Sequence, residues 1–96
     1  MHELKLLSES KRRLKPLVES ALKNELRLIE AGIRQTQHRL DGFETKFQMK
    51  THDFITSYEN DKLEESMEYM EWVGESRLLE RLNEKADTLR NIRFAS

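Results

Sequence analysis

The stretch FETKFQMKTHDFITSYENDKLEESMEYMEW, residues 43–72, decides the fold of this chain, because one helical pattern ends in it and another begins. Large aromatic and methionine side chains are concentrated here, whereas the flanking sequence is mostly Leu, Ile, Lys, Arg and Glu. Such side chains are typical of a place where helices lock together or where a partner docks. The sequence therefore predicts a corner between two long helices.

The apolar residues before this corner repeat at alternating steps of four and three. This is the a/d spacing of a coiled-coil seam, whereas a strand would scatter the same residues over both of its faces. The seam consists of Leu22, Leu26, Ile29, Ile33, Thr36, Leu40, Phe43 and Phe47. Because Pro16 is tolerated only near a helix start, we expect a long helix over residues 15–48 and an N-terminal arm or short helix over residues 1–14.

A second apolar pattern follows the corner. Thr51 and Asp53 are cap-type residues that predict a short helix over residues 51–58, and the polar residues 59–62 predict a loop. We expect the second long helix over residues 63–92. Its stripe is Leu63, Met67, Met70, Gly74, Leu78, Leu82, Leu89 and Ile92. The predicted fold is all-α: one domain, a helical hairpin with a short connecting helix, whose wide apolar faces favour a homodimeric bundle.

The composition supports long helices and excludes several classes of protein. Charged residues make up 36% of the chain, Gly and Pro number only 3 and 1, and the mean hydropathy is −0.82. Without Cys, neither a disulfide nor a thiolate metal site can form. The sequence has neither a signal-peptide core nor an apolar run of about 20 residues, so we expect a cytoplasmic protein without a membrane partner.

The two halves of the chain carry opposite charge. Residues 1–50 hold eleven Lys/Arg against seven Asp/Glu, a net of +4, and residues 51–96 hold six against eleven, a net of −5. Antiparallel helices of opposite sign can neutralise each other, which is the favoured interpretation. The alternative is that the acidic half meets a basic partner. The basic residues 11–15 could touch phosphates, but they lack interleaved aromatics, so a nucleic-acid partner is not expected.

No motif in the sequence points to catalysis, a cofactor or a metal. His2, His38 and His52 have no second ligand at helical spacing, and no Glu is followed three residues later by a His. We therefore expect a non-enzymatic protein. For the aromatic and methionine residues two interpretations stay open: packing inside the hairpin, or an exposed anchor for a partner. The candidate partner-binding residues are Phe54, Tyr58, Glu64, Met67, Glu68, Tyr69, Met70, Glu71 and Trp72.

The pattern from Phe43 through Lys46, Phe47 and Met49 to Phe54, followed by an acidic stretch and Glu71-Trp72, resembles a group of small prokaryotic proteins. They are common in archaea and cyanobacteria, with a long helix ending in a sequence like FEEKYGM, and many look like the antitoxins of type II toxin–antitoxin pairs. The resemblance covers residues 22–89. This chain departs from it at Phe47, where Tyr is usual, at Gln48, where Gly is usual, and at residues 51–53, which replace a Ser-x-Glu-Glu cap. It implies a binding protein that masks a cognate toxin, and no catalytic residue.

Overall fold

The fold is all-α, as predicted, and its core is formed by three helices. The computed structural model describes residues 2–4 and 11–94, and side chains over residues 14–92. Helix α1 spans Lys11–Phe47, α2 spans Thr51–Glu59 and α3 spans Met67–Arg90. Two three-residue strands, β1 at His2–Leu4 and β2 at Ile92–Phe94, pair in parallel with His2 opposite Ile92. The molecule is elongated, with extents of 60 × 22 × 18 Å.

Helices α1 and α3 pack antiparallel, and the predicted seam lies between them. Ile29 and Leu40 on α1 and Ala86 on α3 are buried. The other predicted seam and core residues are half-buried: Leu22, Leu26, Ile33, Phe43, Phe47, Leu78, Leu82 and Leu89. At Gly32 the two helices come close, since a Cβ added there would lie 3.5 Å from Leu82 Cδ1.

The opposite charges of the two halves meet across the hairpin. Arg39 on α1 pairs with Glu75 on α3 over 3.1 Å, and Lys46 pairs with Glu68. A third pair has the reverse direction: Glu30 Oε2 lies 2.9 Å from Arg90 Nη2. The hydrogen bond to Glu30 raises the pKa of Arg90 above its ordinary value, so this pair stays charged. Neutralisation between antiparallel helices therefore accounts for part of the charge asymmetry.

The helix bounds differ from the predicted ones in three places. Helix α1 begins at Lys11, four residues before the predicted start, and contains Pro16 in its second turn. Of the predicted arm over residues 1–14, residues 2–4 form a strand and residues 11–14 belong to α1, while residues 5–10 lie outside the described part. Helix α3 begins at Met67 instead of residue 63, because the Ser66 hydroxyl caps it by accepting a hydrogen bond from the Tyr69 N–H.

The corner between α1 and α2 is built by a left-handed residue and a side-chain cap from α1. Gln48 has φ 53°, and the Met49 N–H donates to the Glu44 carbonyl, which closes α1 in a Schellman arrangement. Lys50 is the N-cap of α2 and makes no side-chain cap bond. The prediction that Thr51 and Asp53 cap this helix is wrong. Instead, the Glu44 carboxylate accepts the Thr51 N–H at 2.7 Å.

Candidate functional site

The closed end of the hairpin, where α1, α2 and α3 meet, contains a stack of aromatic rings. The rings of Phe54 and Trp72 are stacked with centroids 3.8 Å apart and an interplanar angle of 3°. Phe43 and Phe47 each lie 5.5 Å from Trp72, so the indole contacts rings from both α1 and α2. Tyr69 closes the group against Phe47 and Phe54. This stack fixes the relative positions of the three helices.

The polar atom of the buried indole has a partner. Trp72 Nε1 donates to Thr51 Oγ1 over 3.0 Å, and the backbone N–H of the same Thr51 donates to Glu44. Thr51 thus joins α3 to the start of α2, and Glu44 joins that start to α1. Every helix at the closed end is held by a hydrogen bond as well as by ring packing.

The candidate partner-binding residues separate into a buried and an accessible group. Trp72 is 0% exposed and Phe54 is 1% exposed, so neither side chain can meet a partner in this fold. The prediction of a partner-binding role for these two residues is wrong, and the alternative interpretation, packing inside the hairpin, describes them. Tyr58 and Tyr69 are half-buried against the same core. Burial follows from α2, which lies across the end of the hairpin and covers the ring of Trp72.

The accessible group lies at the start of α3. Met67 is 73% exposed and Met70 is 54% exposed; we call these two residues the methionine edge. Glu64 and Glu71 are exposed, while Glu68 is half-buried and paired with Lys46. The methionine edge therefore presents adaptable apolar side chains among carboxylates, on a support that the aromatic stack holds in place.

A groove between α1 and α3 runs beside the methionine edge. It has a volume of about 560 Å³, and its lining residues are Arg39, Gly42, Phe43, Lys46, Glu71, Gly74 and Glu75. The two glycines are the reason that it is open, because a Cβ added at Gly42 or Gly74 would have no atom within 4 Å. Gly74 is exposed and lines this groove, so its predicted place in the α3 core stripe is wrong. The walls carry both signs of charge, with the Arg39–Glu75 pair across them.

The sequence interpretation missed this groove, although it noted both glycines. The available signal was that Gly42 and Gly74 stand at similar distances from the predicted corner, one before and one after it. In an antiparallel hairpin, residues so placed come opposite each other. The deciding fact, that both face the same side of the pair of helices, depends on the helix rotation that packing sets.

The remaining predicted features make no further site in the described part of the chain. Among the described side chains, no three His, Asp or Glu residues are grouped so as to hold a metal ion. His38 and His52 are both exposed. None of the described helices has the length and apolar content needed to cross a membrane. The side chains of residues 11–13, in the basic run, lie outside the described part, and a nucleic-acid contact there stays untested.

Comparison with models of protein families, with curated proteins and with solved structures finds no match to this chain. The functional argument therefore depends on the geometry of the closed end and on the resemblance in residues 43–54 and 71–72.

Proposed function

We propose that this chain is a non-enzymatic protein-binding module of the antitoxin type, which binds a small cognate toxin through the methionine edge and the adjoining groove. The observation that carries the proposal is the exposure of Met67 and Met70, at 73% and 54%, beside a closed aromatic core. Unbranched, polarizable methionines suit a binding surface that must adapt to a partner. The resemblance to antitoxin-like proteins supplies the partner class.

The groove would accept a segment of the toxin that brings apolar side chains and cations. Its glycines leave room for close approach of a partner backbone, with the edge of Phe43 as the apolar floor. Glu71, on the α3 wall, has no ion-pair partner among the described residues. An incoming Lys or Arg would pair with it, and charge complementarity of this kind favours one partner over others.

The aromatic stack supports binding indirectly. Because Trp72, Phe54 and Phe43 fix α3 against α1 and α2, the methionine edge has its backbone ordered before a partner arrives. A preorganised surface loses less conformational entropy on binding than a flexible one. The proposed division of labour gives rigidity to the buried aromatics and contact to the methionines, the groove and Glu71.

Co-expression with the product of the neighbouring gene tests this function. We expect the neighbour alone to arrest growth, the pair to restore growth, and the two chains to purify together. The double variant Met67→Gln with Met70→Gln should lose the complex and the rescue while keeping the helical circular-dichroism spectrum. Leu28→Gln is the matched control, because it removes an exposed apolar side chain far from the closed end. Retention of the complex by the methionine double variant would contradict the proposed surface.

A structural coiled-coil adaptor is the second candidate function. The observation that favours it is a pair of exposed leucines on α1, Leu17 at 68% and Leu28 at 61%. An adaptor of this kind associates through α1 and needs no toxin. It predicts that the methionine double variant changes no interaction of the protein, which is the opposite of the antitoxin expectation.

A further inference from the structure

One stripe of α1 is uncharged although it is exposed. It consists of Leu17, Ala21, Asn24, Leu28 and Ala31, all exposed, and we call it the leucine stripe. Its steps of four, three, four and three are the spacing of a coiled-coil seam. At 3.6 residues per turn it lies about 120° around α1 from the buried positions Ile29, Thr36 and Leu40. It is therefore a second seam, separate from the one that α3 covers.

The other flank of α1 has a different character. At the corresponding angle on the opposite side of the buried seam lie Glu19, Lys23, Glu30, Arg34 and Asp41, which are all charged. In a chain with 36% charged residues, five successive seam positions without a charge distinguish one flank from the other. A charged flank is suited to water, whereas the leucine stripe is suited to another helix.

We infer that the leucine stripe is the contact between two copies of this chain, with the two α1 helices antiparallel and Asn24 on the two-fold axis. Leu17 and Ala31 stand seven residues before and after Asn24, so each leucine would face an alanine of the other copy. Leu28 and Ala21, four after and three before, form the second large-to-small pair. A two-fold contact must be self-complementary in this way, which a surface for an unrelated protein need not be.

Asn24 itself fits the position on the axis. Two asparagine amides that meet across a two-fold axis can hydrogen-bond to each other, and a single polar residue in a coiled-coil seam selects one register and orientation. The sizes on either side and the polar residue at the centre thus point to the same alignment.

The available area sets the expected strength. The stripe spans fourteen residues from Leu17 to Ala31, about 21 Å of helix. One helix-to-helix contact of this length lies at the small end of specific interfaces, so we expect a micromolar dimer. The two closed ends would point away from each other, which leaves both methionine edges accessible. The dimer is therefore compatible with the proposed function but does not depend on it.

Sedimentation equilibrium of the full chain across the micromolar range tests the association. We expect a mass that rises with concentration from 11.5 kDa to twice that value. Leu28→Gln should raise the dissociation constant at least about tenfold, since a two-fold contact loses two buried leucines. Met67→Gln is the matched control and should leave the dissociation constant unchanged. A wild-type chain that stays monomeric, or an association that Leu28→Gln does not weaken, would overturn the inference.

Cysteine cross-linking tests the alignment, and the chain offers a clean background because it has no Cys. Under mild oxidation Asn24→Cys should form a covalent dimer, whereas Gln37→Cys, on the charged flank, should not. Ala31→Cys should cross-link to a Leu17→Cys chain in a mixture but not to itself. A parallel dimer would reverse this last result, with Ala31→Cys cross-linking to itself. That reversal, or cross-linking of Gln37→Cys as fast as Asn24→Cys, would refute the antiparallel contact.

Discussion

The indole N–H of Trp72 donates a hydrogen bond to the hydroxyl of Thr51 over 3.0 Å, and this bond joins α3 to the first residue of α2. Trp72 is 0% exposed, so its N–H has no access to water if Thr51 loses its hydroxyl. The bond therefore joins the burial of the largest side chain in the core to the position of the connecting helix.

Thr51→Val should lower the free energy of unfolding by about 1–3 kcal/mol, because it leaves a buried donor unpaired. Valine has the shape and β-branching of threonine, so neither packing nor helix propensity changes much. Urea unfolding, followed by circular dichroism, measures the difference.

Thr56→Val is the control for this prediction. Thr56 lies on the same helix, is exposed, and donates its hydroxyl to the His52 carbonyl. We expect a change within about 0.5 kcal/mol, as for most surface substitutions. Equal effects at both positions would show that the Trp72 hydrogen bond contributes nothing specific.

The helical hairpin could be predicted from sequence because its signals are periodic. The a/d steps from Leu22 to Phe47 specify one buried face, and the same face contains Ile29 and Leu40, the buried residues of α1. The corner could be located because Gln48 and Thr51 fall where this period breaks. In physical terms, a local pattern was enough wherever one helix face had one neighbour.

The site could be predicted only in part, because exposure depends on all three helices together. Trp72 and Met70 both belong to an acidic helix start, but α2 covers only Trp72. The start of α3 was misplaced because Leu63 continues the apolar spacing, whereas the cap that begins the helix is Ser66. Leu63 packs against the aromatic core from the preceding loop, a placement that spacing does not distinguish from a helical one.

Gln48→Gly should raise the free energy of unfolding by about 0.5–1 kcal/mol. Gln48 has φ 53°, a left-handed conformation that is costly for residues with a Cβ and free of strain for glycine. The gain is reduced by loss of the hydrogen bond from Gln48 Nε2 to the Thr45 carbonyl. Chemical denaturation measures the change.

Gln35→Gly provides the opposite control. Gln35 is exposed in the interior of α1, where glycine costs about 1 kcal/mol. The two substitutions replace the same residue by the same residue and should have effects of opposite sign. If both destabilise, the left-handed geometry at Gln48 does not strain the helix end.

Gly32→Ala should stabilise the fold by about 1 kcal/mol, since alanine is the better helix former and the new methyl group meets Leu82 at an ordinary contact distance. Gly32→Leu should instead lose about 1–3 kcal/mol through overpacking between α1 and α3. Gly42→Leu is the control, because a side chain at Gly42 enters the open groove. Thermal unfolding of the three variants should therefore rank Gly32→Leu lowest, and a different lowest variant would contradict the close approach at Gly32.

Ser66→Ala should cost about 1 kcal/mol of stability, the usual loss for an N-cap whose side chain accepts a backbone N–H. The Ser66 hydroxyl accepts the Tyr69 N–H at 3.1 Å, so its removal should fray the turn that carries Met67 and Met70. Hydrogen exchange at the amides of residues 67–70 measures this fraying directly, and we expect it to accelerate there before it does elsewhere in α3. Ser20→Ala, exposed within α1, should leave both stability and exchange nearly unchanged. If the methionine edge binds a partner as proposed, Ser66→Ala should also weaken that binding, because the edge must then be ordered at the moment of contact; unaltered exchange at residues 67–70 would show that the cap does not hold the edge.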